Sequence, residues 1–200
     1  DEEYTNEIIK ILNNSNLFSD VKVRFIDNEY IIIVNEYPNI NNLFFDKNER
    51  LDDEELELIA NQINFNKLNT SSINLFIQEI KKIYESFGYN NIQIKYSDKI
   101  YKETNTADLY FTINEGSITK INQLIFEGNK TIFTQEIKQI IKSKTKTIRN
   151  IFANNNFKNL VLENDQYLIQ NYYKNRGYVD ISVNTKIEYL DSNKVNIYFY

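Results

Sequence analysis

One block of sequence recurs three times without a gap, and that recurrence restricts the fold more than any other feature. The block is a helix-period segment, a small turn and an alternating strand. It reads Asn16-Leu17-Phe18-Ser19-Asp20-Val21-Lys22-Val23, then Phe87-Gly88-Tyr89-Asn90-Asn91-Ile92-Gln93-Ile94, then Arg176-Gly177-Tyr178-Val179-Asp180-Ile181-Ser182-Val183. The copies lie roughly 70 to 90 residues apart, longer than helical-solenoid repeats and long enough for each unit to be a small domain.

Two further blocks keep step with the first. A hairpin partner strand closing on an acidic residue spans residues 31–36 and again Leu109–Gly116, and residues 195–200 repeat its opening. Each new unit opens on an apolar strand, Ile40–Asn48 and Ile121–Asn129. Between opener and turn lie two helical patterns. Leu56, Ile59, Ala60 and Ile63 fall on one face, behind the acidic start Asp52–Glu55 that a helix N-terminus favours. Ile73, Phe76, Ile77, Ile80, Tyr84 and Phe87 form the next stripe, with Thr70, Ser71 or Ser72 as its cap and Gly88 just past its end. In the last unit Ile137, Ile140 and Ile141 mark the first helix, and Leu168 and Tyr172 the second. Strands alternate with period two, as in Val21, Val23 and Phe25, so one face of each sheet is wet and helices cover the other. The unit is strand–helix–helix–strand–strand, an α+β module. Residues 1–37 hold only the last helix and the hairpin of a copy.

Composition removes most chemistry. With no His and no Cys, the chain lacks an imidazole base, a thiolate nucleophile, the usual zinc ligands and any disulfide. A Ser-His-Asp triad is impossible within it, and its 4 glycines form no phosphate loop. No carboxylate pair is singled out by spacing, and the acidic run Asp52–Glu55 reads as a solvated helix start, because consecutive residues do not converge on one ion. No catalytic residue, metal or cofactor is expected. The net charge of -5 argues against nucleic acid as a partner and against docking on anionic lipid. The Asn and Ile excess reads as the coding bias of an AT-rich genome. The absence of Met and the start at Asp1-Glu2-Glu3 suggest an excised or mature piece whose targeting signal lies elsewhere.

The repeat resembles the POTRA domain. The resemblance rests on the opener Ile121–Asn129, the closing Glu115-Gly116 and the helix-ending Tyr172-Tyr173-Lys174-Asn175-Arg176-Gly177-Tyr178. It covers essentially the whole chain. The order of variants, Leu17–Val21 before Asn35–Ile40 and then Tyr172–Tyr178, is similar to the first three POTRA domains of outer-membrane assembly factors. Residues 1–37 would be a partial first domain, 38–116 the second and 117–200 the third. Lys47-Asn48 departs from the family's Gly-Asn and puts the tight turn there in question, and Tyr37 stands where a small linker residue is common.

What the resemblance implies is recognition by backbone. Each three-stranded sheet has the strand order first–third–second, leaving the second strand at an edge where an extended peptide can add. The edges would be Val179, Asp180, Ile181, Ser182, Val183 and Asn184 in the last unit, and Asn91, Ile92, Gln93, Ile94 and Lys95 in the middle one. Glu36, Tyr37, Pro38, Glu115 and Gly116 would form hinges, and Gly88, Gly128, Asn129 and Gly177 structural turns. A five-residue strand forms ~4–6 bonds worth ~0.5–1.5 kcal/mol each, against ~1–2 kcal/mol per residue for ordering the peptide. Binding is therefore expected to be weak and tolerant of sequence. The implied partners are unfolded outer-membrane β-barrel proteins, accessory assembly lipoproteins and a C-terminal membrane barrel of the same protein. The implied place is the periplasmic face of the bacterial outer membrane. A spacer arm, or the equivalent region of translocation-factor and two-partner secretion relatives, fits the same residues.

Overall fold

The computed structural model describes residues 2–148 and 150–200. The chain opens with α1 (Glu2–Asn14) and the hairpin β1 (Phe18–Ile26) and β2 (Glu29–Glu36). Then follow β3 (Asn39–Asp46), α2 (Asp53–Gln62), α3 (Thr70–Phe87), β4 (Gln93–Tyr101) and β5 (Thr106–Asn114). The last set is β6 (Lys120–Phe126), α4 (Thr134–Ile140), α5 (Asn159–Lys174), β7 (Thr185–Leu190) and β8 (Lys194–Phe199). The fold class is α+β, with the element order that the repeats imply. Two compact units result: Asp1–Ile80 with Gln93–Asn114, and Lys81–Ile92 with Glu115–Tyr200.

In the first unit β1 and β2 form an antiparallel pair. Its two-residue turn, Asp27-Asn28, holds both residues at positive φ (50° and 64°), which matches the twist of a hairpin. The second sheet has the order β3-β5-β4, with β3 parallel and β4 antiparallel to the central strand. Ala107, Leu109, Phe111 and Ile113 are the buried face of β5, while Tyr110 between them is exposed. That period of two turns every second side chain toward the helices. Phe65 stacks on Phe76 there with centroids 4.6 Å apart, and Phe76 meets Phe111 edge-on at 5.3 Å. Asp52 begins α2 with a capping box, its carboxylate accepting from Glu55 N–H at 2.8 Å while Glu55 accepts from Asp52 N–H at 3.0 Å. The cap of α3 is Asn69 rather than Thr70, Ser71 or Ser72: its Oδ1 accepts from Ser72 N–H at 2.8 Å. Thr70, Ser71 and Ser72 already lie inside the helix, past the cap position.

The second unit repeats the sheet as β6-β8-β7. Its core gathers Ile121, Ile137, Phe157, Leu162, Ile169, Val195, Ile197 and Phe199. The inward face of α5 is Leu162, Asp165, Ile169 and Tyr173, while the expected Leu168 and Tyr172 are only half-buried. A buried carboxylate displaced the pattern. Asp165 is fully buried and accepts from Lys142 N–H at 2.6 Å and Ser143 N–H at 2.9 Å.

The turn after each opening strand survives the departure at Lys47. Gly128 has φ 80° and Lys47 has φ 63°, so the lysine adopts the left-handed conformation that glycine supplies in the other copy. The following asparagines act alike. Asn48 Nδ2 donates to Leu51 O at 3.0 Å and Asp53 Oδ1 at 2.8 Å. Asn129 Nδ2 donates to Ile132 O at 3.0 Å and Thr134 Oγ1 at 3.1 Å. These bonds hold the turn against the strain of a left-handed residue. Lys47→Gly is therefore expected to stabilise the protein, by about 0.5–1 kcal/mol, read as a raised urea midpoint. An unchanged or lowered midpoint contradicts this.

Candidate strand-docking edges

Hydrogen-bond parity decides which backbone groups an edge offers. In an antiparallel ladder, residues alternate between bonding their neighbour and facing away. Asn184 N–H donates to Tyr200 O at 3.1 Å, and Tyr200 N–H donates to Asn184 O at 2.9 Å. Asn184 and, two by two, Lys186, Glu188 and Leu190 therefore face β8. Thr185, Ile187 and Tyr189 turn their N–H and C=O groups to the free side of β7, which is the outer strand of its sheet.

The edge expected at Val179–Asn184 lies elsewhere. Val179 and Asp180 form a turn, and Ile181–Asn184 precede the strand, which begins at Thr185. Two glutamines of α5 explain the displacement: Gln170 Nε2 donates to Ile181 O at 3.0 Å and Gln166 Nε2 to Val183 O at 3.3 Å. Side-chain amides thus occupy carbonyls that an added strand would use. Ile181 and Val183 pack against the core and, with Ser182, line a cavity of about 210 Å³ beside Ile169, Tyr173 and Phe199.

In the first unit β4 is an outer strand, and it begins at Gln93. Gln93, Ile94 and Lys95 lie on it as expected. Asn91 and Ile92 do not: Ile92 is buried before the strand starts, and Asn91 Nδ2 bonds Asn193 Oδ1. The turn glycine draws the chain inward before it extends. β4 continues to Tyr101, farther than the alternation signalled, because Ser97, Asp98 and Lys99 break the apolar period yet keep their pairing with β5.

Of the expected hinge residues, Glu36, Tyr37, Pro38 and Glu115 make hydrogen bonds. Tyr37 N–H donates to Leu17 O at 2.9 Å, Leu68 N–H donates to Pro38 O at 2.9 Å, and Glu36 pairs with Lys67 at 3.0 Å. Glu115 is buried and accepts from Tyr84 OH at 2.8 Å. Gly116 has φ 68°. The turn glycines differ in what surrounds them. Gly128 and Gly177 have positive φ with no neighbour near an added Cβ, whereas at Gly88 (φ 101°) a Cβ would stand 3.0 Å from Ile118 Cγ2. Tyr89 and Tyr178 each meet the last-turn tyrosine of the helix before them edge-on, at 5.8 Å from Tyr84 and 5.4 Å from Tyr173.

A feature that single-sequence reading missed crosses each three-stranded sheet. In the first unit Asp108 on β5 accepts from Asn42 at 2.8 Å, Tyr101 OH at 2.9 Å and Asn41 at 3.2 Å. Burial raises its pKa, but these donors outweigh burial and hold the carboxyl below its ordinary range. In the second unit Asn122 donates to Asn196, and Asn196 and Tyr198 donate to Glu188, whose carboxyl is lowered by those two bonds in that order. Both ladders sit beside a bulge in the opening strand, Ile40/Asn42 and Ile121/Gln123. The Asn-Asn and Asn-Gln pairs at the bulges were the available signal. Among the described residues no group of three or more His, Cys, Asp or Glu is placed to hold a metal, and no helix is long and apolar enough to cross a membrane.

Residues 119–200 match the family model POTRA, surface antigen variable number repeat. The chain is 26% identical over 191 residues to the outer membrane protein assembly factor BamA of Buchnera aphidicola, a match covering 93% of this chain and 31% of that protein. It is 25% identical over 181 residues to BamA of Neisseria meningitidis, covering 88% of this chain and 22% of that one. The chain thus spans a third or less of these relatives. Among solved structures, Haemophilus influenzae BamA POTRA3-5 shares its fold with a TM-score of 0.53 at 13% identity, covering 97% of this chain and 78% of that one.

Proposed function

We propose that the chain is a run of POTRA domains of the BamA kind, the periplasmic POTRA region of an outer-membrane β-barrel assembly factor, as the match of residues 119–200 to the POTRA model supports. In this reading residues 1–37 close one POTRA domain, 38–116 form a second and 117–200 a third. The repeated element order supports the division. So does β2: its Ile31, Ile32 and Ile33 are 44–49% exposed, whereas Leu109, Val195 and Ile197 on the matching strands of the other sheets are fully buried. The free side of β2 is where those sheets carry their opening strand.

The role is scaffolding and recognition, without catalysis. Unfolded outer-membrane β-barrel strands would add to β7 at Thr185, Ile187 and Tyr189, and to β4 from Gln93 onward. Accessory assembly lipoproteins would dock on the same domains, and a membrane barrel of the same protein would receive the clients. The observation carrying the reading is the row of six outward backbone groups on β7. Six bonds at ~0.5–1.5 kcal/mol each, set against peptide ordering, give a transient complex. Lasting capture of one client would block the next.

The test titrates a peptide from an unfolded outer-membrane barrel strand into the protein and follows amide shifts by NMR. Shifts are expected on β7 and β4. Tyr189→Pro removes an outward N–H without touching the β8 ladder and should abolish the β7 shifts, while Tyr189→Ala keeps the donor and should retain them. Absence of edge shifts with the fold intact would instead assign the chain to a spacer arm.

A further inference from the structure

Phe152 is 93% exposed and Ile148 98%, the least protected large apolar side chains among the described residues. They sit on the loop between α4 and α5, Ile148 at a tight turn closed by Asn150 N–H donating to Thr147 O at 3.0 Å and Phe152 at the next, closed by Ala153 N–H donating to Asn150 O at 3.3 Å. Ile151 beside them is 58% exposed. The base of this loop is held firmly. Asp165 binds the N–H groups of Lys142 and Ser143, and Lys144 Nζ folds back onto the carbonyls of Ile141 (2.6 Å) and Lys138 (2.9 Å). A pinned base presenting bare aliphatic and aromatic side chains at its tip serves no core in this chain.

Charge is distributed unevenly along the sequence on either side of the tip. Residues 128–158 hold seven of the 23 basic residues and one of the 28 acidic ones, Glu136. That stretch carries a net charge of +6 within a chain of -5, so the remainder stands at -11. Lys130, Lys138, Lys142 and Lys146 are exposed. Surface charges more than about 10 Å apart are largely screened at ordinary salt. The whole-chain charge that argued against anionic lipid therefore does not govern this loop.

We propose that the α4–α5 loop docks on an anionic lipid surface, with Ile148 and Phe152 entering the headgroup–acyl boundary and Lys142 and Lys146 facing lipid phosphates. Two observations favour lipid over a folded partner. The apolar groups stand exposed on two successive tight turns instead of lining a groove, a shape suited to a fluid phase. The apolar tip with neighbouring lysines is also the pairing that interfacial binding uses. This inference is independent of strand addition at β7.

The experiment is co-sedimentation of the protein with vesicles of mixed phosphatidylglycerol and phosphatidylcholine, against vesicles of phosphatidylcholine alone. Binding is expected to the anionic vesicles only, and to disappear at about 0.5 M salt. Replacing Ile148 and Phe152 together by Asp should lower partition about tenfold or more, and so should Lys142→Glu with Lys146→Glu. All four side chains are exposed, so the melting temperature should not move. No binding at low salt, equal binding to both vesicles, or unchanged partition of either variant would overturn the proposal. Self-association that the aspartate variant abolishes, without vesicle binding, would assign the tip to a second copy of the chain and overturn it equally.

Discussion

Asp165→Ala should loosen α5 by about 2–5 kcal/mol. Asp165 is a fully buried carboxylate whose two oxygens accept the Lys142 and Ser143 N–H groups. Truncation leaves both donors without this acceptor, at about 1–3 kcal/mol for each buried unsatisfied group. Relief of the carboxylate's own burial offsets part of that. Asp165→Asn keeps one oxygen but turns an amide N–H₂ toward a backbone donor, so it should recover only part of the loss. Because the chain forms two units, the effect is best read from hydrogen exchange of α5 amides in the intact protein. A change under about 1 kcal/mol for Asp165→Ala would mean that water replaces the carboxylate at this site.

Gly88→Ala should cost about 2–5 kcal/mol, and the comparison with Gly177→Ala shows why. Both glycines end a helix in the left-handed conformation, at φ 101° and 90°. A side chain there costs about 1–2 kcal/mol by conformation. Around Gly177 nothing lies within 4 Å of an added Cβ, so the cost stops there. At Gly88 the new methyl would meet Ile118 Cγ2 at 3.0 Å and Phe157 O at 3.3 Å, and the carbonyl of Gly88 already accepts from Thr119 N–H at 2.9 Å. Overpacking adds about 1–3 kcal/mol. Gly88→Ala should therefore lower the melting temperature by several degrees more than Gly177→Ala. Equal shifts would show that the backbone around Gly88 yields, and that only its φ matters.

Local chemistry made the elements legible. Hydrophobic period separates helices from strands because a helix turns one face inward and a strand every second side chain. The recurrence of turn, hairpin and opener carried the modules, since each copy repeats the same packing problem. Asp52 with Glu55 and the positive φ of Gly88, Gly128 and Gly177 follow from interactions a few residues apart. The reading failed where distant residues decided. Leu168 and Tyr172 carried the apolar signal of the helix, whereas backbone donors more than 20 residues away hold Asp165 in the core.

The candidate site divides along the same line. The repeat carried a resemblance whose implied strand order, first–third–second, puts the second strand of each unit outermost, and β4 and β7 stand at those margins. Only the tertiary structure decided which part of each margin is bare. Gln166 and Gln170, polar residues with no local signal, reach from α5 to the carbonyls of Val183 and Ile181 and move the free edge to Thr185–Leu190. A period is written in neighbouring residues, whereas a backbone carbonyl is satisfied by whichever side chain the fold brings near it.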